Sequence, residues 1–110
     1  MDTGGQSSLA EALDRLWVQF LPEIEQRVAI VESANAALAA DRLSQDQRAG
    51  ANAAAHKLAG VLGTFGLTKG TILAREAEIV YSGEPDTDPA AAARLSEIAG
   101  ELRSLISNRK

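Results

Sequence analysis

Apolar residues recur along this chain every three to four positions over most of its length, and no segment alternates as a strand would. Leu9, Leu13, Leu16, Trp17 and Phe20 form the first stripe. Ser8, with Glu11 three residues on, is spaced as a capping box at its start. Proline disfavours helical geometry in the residue before it and suits the first turn of a new helix. Pro22 therefore predicts a short leading helix and a second one running from Pro22 to about Ala40. Along the second, Ile24, Val28, Val31, Asn35 and Leu38 keep a seven-residue rhythm, and Glu23, Glu25 and Glu32 fall off it. Glu23 and Arg27 are placed for an i,i+4 pair. Asn35 reads either as a buried hydrogen-bonding residue or as the point where the stripe frays.

Asp41 to Ser44 is a short connection, and Ser44 with Gln47 forms a second capping box. The helix it opens runs to about Thr64 or Phe65, where Gly66 follows as a C′ glycine. A fourth helix spans Thr68 to about Tyr81, a polar loop covers Ser82 to Thr87, and Asp88 then caps a fifth helix begun by Pro89. Its stripe is Leu95, Ile98, Leu102, Leu105 and Ile106, closed by the cations Arg109 and Lys110. Short connections make neighbours antiparallel. The expected fold is all-α: an antiparallel up-down four-helix bundle with a short additional N-terminal helix. Residues 1–7, rich in Gly and Ser, read as a flexible tail before a domain over 8–110.

The stretch Ala53 to Gly66 carries the only histidine. At about 100° per residue, Gly60 falls about 40° from His56 and Gly63 about 20° on the other side. Asn52, Ala53 and Ala59 lie within about 60° of it. Leu58, Val61, Leu62 and Phe65 occupy the far side and read as core. Each glycine inside a helix costs about 1 kcal/mol relative to alanine. Two of them beside one imidazole are a local conflict of the kind that marks functional sites. The physical reading is clearance for something large to approach the ring, and close helix packing is the alternative. Gly50, in the second turn of the same helix, has no assigned role.

Composition narrows the chemistry. A chain of 110 residues with 45% hydrophobic positions can bury one core. Aromatics are only 4%, the net charge is −4, and the isoelectric point is about 4.9, which argues against nucleic acid. Without cysteine there is no disulfide or thiolate site, and a single histidine makes no usual zinc centre. No apolar run is long enough to span a membrane and no signal peptide opens the chain, so a soluble cytoplasmic protein is expected. There is no P-loop, because Lys69 is followed by Gly70 and no strand precedes it, and no Gly-x-Ser-x-Gly elbow. What is left is an imidazole nucleophile without an ATP site of its own. An ordinary imidazole, with a pKa of about 6.5, is mostly unprotonated at pH 7 and can attack phosphorus.

Ala55-His56-Lys57-Leu58-Ala59-Gly60, followed by Gly63-Thr64-Phe65-Gly66-Leu67, resembles the histidine-containing phosphotransfer (HPt) domain of bacterial phosphorelays. The motif is a histidine, a glycine four residues on, another three later, and an aromatic-glycine step closing the helix. With the helix order, the resemblance extends from about Leu9 to Ile106. It implies a phosphocarrier rather than an enzyme. His56 would take a phosphoryl group on Nε2 from the phospho-aspartate of a receiver domain in a response regulator, and hand it to another receiver. The resemblance implies no cofactor on this chain, with Mg2+ held by the receiver. Implied partners are receiver domains, a hybrid histidine kinase, or both. A monomer is expected, with no nucleic-acid or membrane partner.

Roles beside His56 follow from position. Ala53, Ala59, Gly60 and Gly63, with Ala49, would form a small-residue docking face. Lys57, about 100° round the helix, can bend toward a phosphoryl oxygen. Many relatives instead place a lysine three residues after the histidine, where this chain has Ala59. Asn52, one turn earlier, can hydrogen-bond the ring or a receiver backbone. Lys69 and Arg75 add positive charge that can face a phosphate. Two other readings remain: a helical adaptor bundle whose histidine is never phosphorylated, and a phosphoacceptor domain cut from a larger hybrid histidine kinase.

Overall fold

The computed structural model describes residues 3–83 and 87–109, with side chains from Ser8 onward. Four helices follow in order: α1 (Thr3–Ala39), α2 (Gln45–Thr64), α3 (Thr68–Tyr81) and α4 (Ala92–Asn108), the last preceded by a single 3-10 turn at Pro89–Ala91. Among the described residues there is no strand.

The leading helix is not a separate element. α1 runs through Pro22 without a break. A proline removes one i→i−4 hydrogen bond and crowds the carbonyl one turn back. Here that carbonyl belongs to Val18. Pro22 and Val18 both lie on the outer side of α1, and both side chains are exposed. The freed carbonyl is therefore open to water, and the apolar stripe from Trp17 to Leu38 holds the helix in register across the proline. The helix also begins at Thr3, inside the stretch expected to be a flexible tail. Met1 and Asp2 lie outside the described residues.

The 37 residues of α1 span about 55 Å at 1.5 Å per residue, which accounts for the 58 Å long axis of a molecule only 21 by 19 Å across. The 20 residues of α2 reach about 30 Å, so α1 overhangs the bundle. Trp17 is the first buried residue of α1 among those whose side chains are described. From there Ile24, Val28, Val31 and Leu38 face Ala51, Ala54, Leu58 and Leu62 of α2, Leu73, Ala74 and Ala77 of α3, and Leu95, Ile98 and Leu102 of α4 in one cluster. Alanine-rich faces let α2 and α3 approach closely. At buried Gly70 an added Cβ would stand 3.0 Å from Leu62 Cδ1.

Asn35 is buried, and it is a hub rather than a frayed position. Its amide donates to Leu95 O at 3.1 Å, and Tyr81 donates its hydroxyl to Asn35 Oδ1 at 2.5 Å. Three helices thus meet on one polar side chain. Burial pushes the Tyr81 phenol up to about 12. One end of the bundle is closed by aromatics. Phe65 meets Trp17 edge-on at 5.2 Å, and the Arg109 guanidinium lies 4.9 Å from the Trp17 ring. Arg103 clamps Glu32 and Arg94 clamps Glu76 between helices, and those hydrogen bonds hold both carboxyls below the usual glutamate value. The Glu23–Arg27 pair is present at 3.9 Å.

Candidate functional site

α2 starts where the capping box placed it. Ser44 Oγ accepts from the Gln47 amide at 3.0 Å, and Gln47 reciprocates. It ends at Thr64, with Gly66 in the left-handed region at φ +76°. That conformation suits glycine and turns the chain directly into α3. The turn fixes an antiparallel α2–α3 pair whose register decides what stands beside His56.

The His56 side chain is 72% exposed. Its Nδ1 lies 2.7 Å from Glu78 Oε2 on α3. A carboxylate only accepts, so the ring donates from Nδ1. In the neutral imidazole this assigns the lone pair to Nε2, which has no protein partner among the described residues. Asn52 supports the arrangement from one turn earlier. Its amide donates to the Glu78 backbone carbonyl at 2.8 Å, tying α3 to α2 at the level of the ring. The Asn52 amide is thus given to the backbone of Glu78, the residue that holds the ring.

The other expected site residues divide by their side of α2. Ala53, Lys57 and Gly60 are exposed around His56. At Gly60 an added Cβ would meet nothing within 4 Å, so no contact inside the molecule requires a glycine there. Gly63 differs. Its added Cβ would stand 3.1 Å from Thr71 Oγ1, and that hydroxyl donates to Ala59 O at 2.9 Å. Gly63 is itself exposed, and the closeness of Thr71 gives a glycine there a packing role as well. Ala59 is only 3% exposed and contributes no docking surface, because it lies on the flank of α2 that α3 covers. Of the more distant cations, Lys69 pairs with Glu101 of α4 at 3.9 Å, whereas Arg75 is exposed on α3 one turn before Glu78. Among the described residues no three His, Cys, Asp or Glu side chains converge as a metal site.

Sequence reasoning did not find Glu78. The signal was present in the turn. In an antiparallel pair folded about Leu67, residue 56 lies eleven before it and residue 78 eleven after; Gly63 and Thr71, four on either side, are likewise opposed.

The site is thus a solvent-facing histidine at mid-helix on a helical bundle, its Nδ1 anchored across a helical hairpin and its other nitrogen without a protein partner among the described residues. The Hpt domain family model matches residues 15–109, and the chain belongs to that family. Hpt domains are phosphocarriers in two-component phosphorelays, where they work with receiver domains and kinases. Protein RcaC of Microchaete diplosiphon is 30% identical over 96 residues, which is 87% of this chain and 15% of RcaC. The chain thus spans only a small part of that relative. No solved structure matches. Among the described residues, no helix is long and apolar enough to cross a membrane.

Proposed function

We propose that His56 is the phosphoacceptor of a phosphorelay intermediate, taking its phosphoryl group from the phospho-aspartate of a receiver domain and passing it to another receiver. The observation that carries this reading is the 2.7 Å contact between Nδ1 and Glu78 on a ring that is 72% exposed. In the transfer, the Nε2 lone pair forms the N–P bond. The bond from phosphorus to the aspartate oxygen breaks, and its electron pair returns to the receiver's carboxylate. The ring, already protonated on Nδ1, becomes cationic as the bond forms. Glu78 then faces a developing positive charge across a hydrogen bond in place before reaction starts, which is the preorganisation that lowers such barriers. The return transfer runs through the same arrangement.

Lys57, exposed beside the ring, supplies a point charge to the phosphoryl oxygens. Magnesium arrives with the receiver, and the carrier acts as a cytoplasmic monomer. Ala53 and Gly60 leave room for the receiver to close over Nε2.

The test is single-turnover transfer from receiver domains charged with acetyl phosphate. Label that moves to the chain, survives base, is lost in acid and disappears in His56→Gln supports the reading. A folded chain that accepts label from no receiver, with cellular output intact in His56→Gln, favours an adaptor bundle and overturns it.

A further inference from the structure

Three polar side chains stand one turn apart on the flank of α2 beside α3: Arg48, Asn52 and His56. Each reaches the C-terminal end of α3. The Arg48 guanidinium donates to Gly83 O at 2.6 Å and to Tyr81 O at 3.4 Å, Asn52 to Glu78 O at 2.8 Å, and His56 to the Glu78 carboxylate at 2.7 Å. An α-helix leaves its last four carbonyls without intrahelical partners. In α3 these belong to Glu78, Ile79, Val80 and Tyr81. The amides of Ser82 and Gly83 and the Ser82 hydroxyl take Ile79 O and Val80 O. The other two, Glu78 O and Tyr81 O, are taken from α2. α3 has no basic residue in its last turn, and Gly83 is not in the left-handed conformation that Gly66 adopts after α2. The cation that suits a helix C-terminus is therefore supplied by the neighbouring helix. Gln45 Oε1 steadies it, accepting from Arg48 Nε at 3.1 Å.

We propose that Arg48 is a positioning residue for phosphotransfer: by capping α3 from outside, it holds Glu78 against the His56 ring two turns further along α2. The proposal rests on the phosphoacceptor reading and adds what keeps the anchor of the ring in place. Glu78 lies in the last turn of α3, and helix ends open at little cost unless they are tied down. The start of α3 is fixed by the turn at Gly66 and by Thr71, whose hydroxyl donates to Ala59 O. Elsewhere around α3, Tyr81 is tied to Asn35 of α1, and Glu76 is clamped by Arg94 of α4. On the flank that carries Glu78, the hydrogen bonds to α2 besides that of the ring come from Asn52 and Arg48. Opening of that turn withdraws the carboxylate from Nδ1 and lets the ring proton move to Nε2. Arg48 lies about 12 Å along α2 from His56 and so acts through Glu78, not on the phosphoryl group.

The experiment reads two quantities in Arg48→Ala and Arg48→Lys: the His56 tautomer by nitrogen NMR, and single-turnover transfer from receiver domains charged with acetyl phosphate. Arg103→Ala is the control, because it breaks an arginine clamp of the same kind between α4 and α1, away from α3. Arg48→Ala is expected to lower the Nδ1–H fraction and to slow transfer at saturating receiver about threefold, with KM unchanged. Arg48→Lys, which can still donate to one of the carbonyls, recovers most of both, and Arg103→Ala keeps the wild-type values. Adding Arg48→Ala to Glu78→Ala slows transfer no further than Glu78→Ala alone. A wild-type tautomer and rate in Arg48→Ala would overturn the proposal, and so would a slowed rate with the tautomer unchanged. Losses that add in the double variant would also overturn it, because Arg48 would then act by a route other than Glu78. The NMR readout requires no receiver. A wild-type chain that takes label from no receiver, while Arg48→Ala still shifts the tautomer, would uphold the hold on the ring and overturn the carrier reading instead.

Discussion

Removing the Glu78 carboxylate tests the site most directly. If the contact to His56 Nδ1 serves to hold the proton there, Glu78→Ala leaves the ring free to place its proton on Nε2, the nitrogen that attacks in the proposed transfer. A hydrogen bond to a charged group contributes about 1.5–3 kcal/mol. The ring is 72% exposed, and solvent screening brings this bond to the bottom of that range or just below it, about 1–1.5 kcal/mol. Each 1.4 kcal/mol is tenfold, so transfer at saturating receiver should slow about tenfold in Glu78→Ala, with KM little changed. Glu78→Gln should be at least as slow, because its amide can donate to Nδ1 and stabilise the unreactive tautomer. Both variants should melt within about 1 kcal/mol of wild type, since the backbone contact from Asn52 survives them. Rapid-quench single-turnover transfer gives the rate, and nitrogen NMR of the ring reads the tautomer. A wild-type rate in Glu78→Ala would refute the reasoning. So would a slowed rate with the Nδ1–H tautomer still dominant.

Three further outcomes follow from the packing. Gly60→Ala should stabilise the fold by up to about 1 kcal/mol in a thermal melt while slowing transfer, whereas Gly63→Ala must push Thr71 off Ala59 O and should lose that gain. Asn35→Ala strands the Tyr81 hydroxyl in the core and removes the amide that ties α1 to Leu95 O; it should cost about 2–3 kcal/mol, lowering the melting temperature by roughly 10 °C, as circular dichroism will show. Tyr81 sets an alkaline limit. Its folded value, about 12, lies above the unfolded value of 10, so the folded state holds the proton longer. The stabilisation is complete below pH 10 and fades toward pH 12, at up to about 1.4 kcal/mol per pH unit; Tyr81→Phe should flatten that slope in denaturant titrations followed against pH.

Much of the molecule was legible because its signals are local. The capping box at Ser44, the glycine at Gly66 and the Asp88 cap each state a boundary within four residues, and each is where the chain turns. Pro22 misled because its cost depends on which way the freed carbonyl points. That is set by the face of α1 that the bundle buries, and a proline signal alone does not carry it. Ala59 misled for a related reason. An angle on a helical wheel places it near His56, but only the position of α3 decides that this flank is covered. Glu78 escaped because its significance lies in a pairing across 22 residues, created by the register of the hairpin.

The glycines carry the argument one step further. Seen as sequence, they are alike; in the fold they separate by cause. Gly66 serves a backbone angle, and Gly63 and Gly70 serve close approach of α2 and α3. Gly50, Gly60 and Gly100 have open space where a side chain would stand. Openness alone assigns nothing, since Gly100 lines the groove between α1 and α4. Gly50 and Gly60, however, share α2 with His56 and lie on either side of it along the helix, ten residues and about 15 Å apart. A helix that forgoes about 1 kcal/mol at two such places, for no contact of its own, is shaped for a surface that arrives from outside. Gly60→Ala and Gly50→Ala should therefore act alike, each raising stability and weakening transfer, and the double variant should add in stability because the sites are too far apart to couple. Stability that rises with no change in transfer for either variant would show that these glycines reserve no space for a partner.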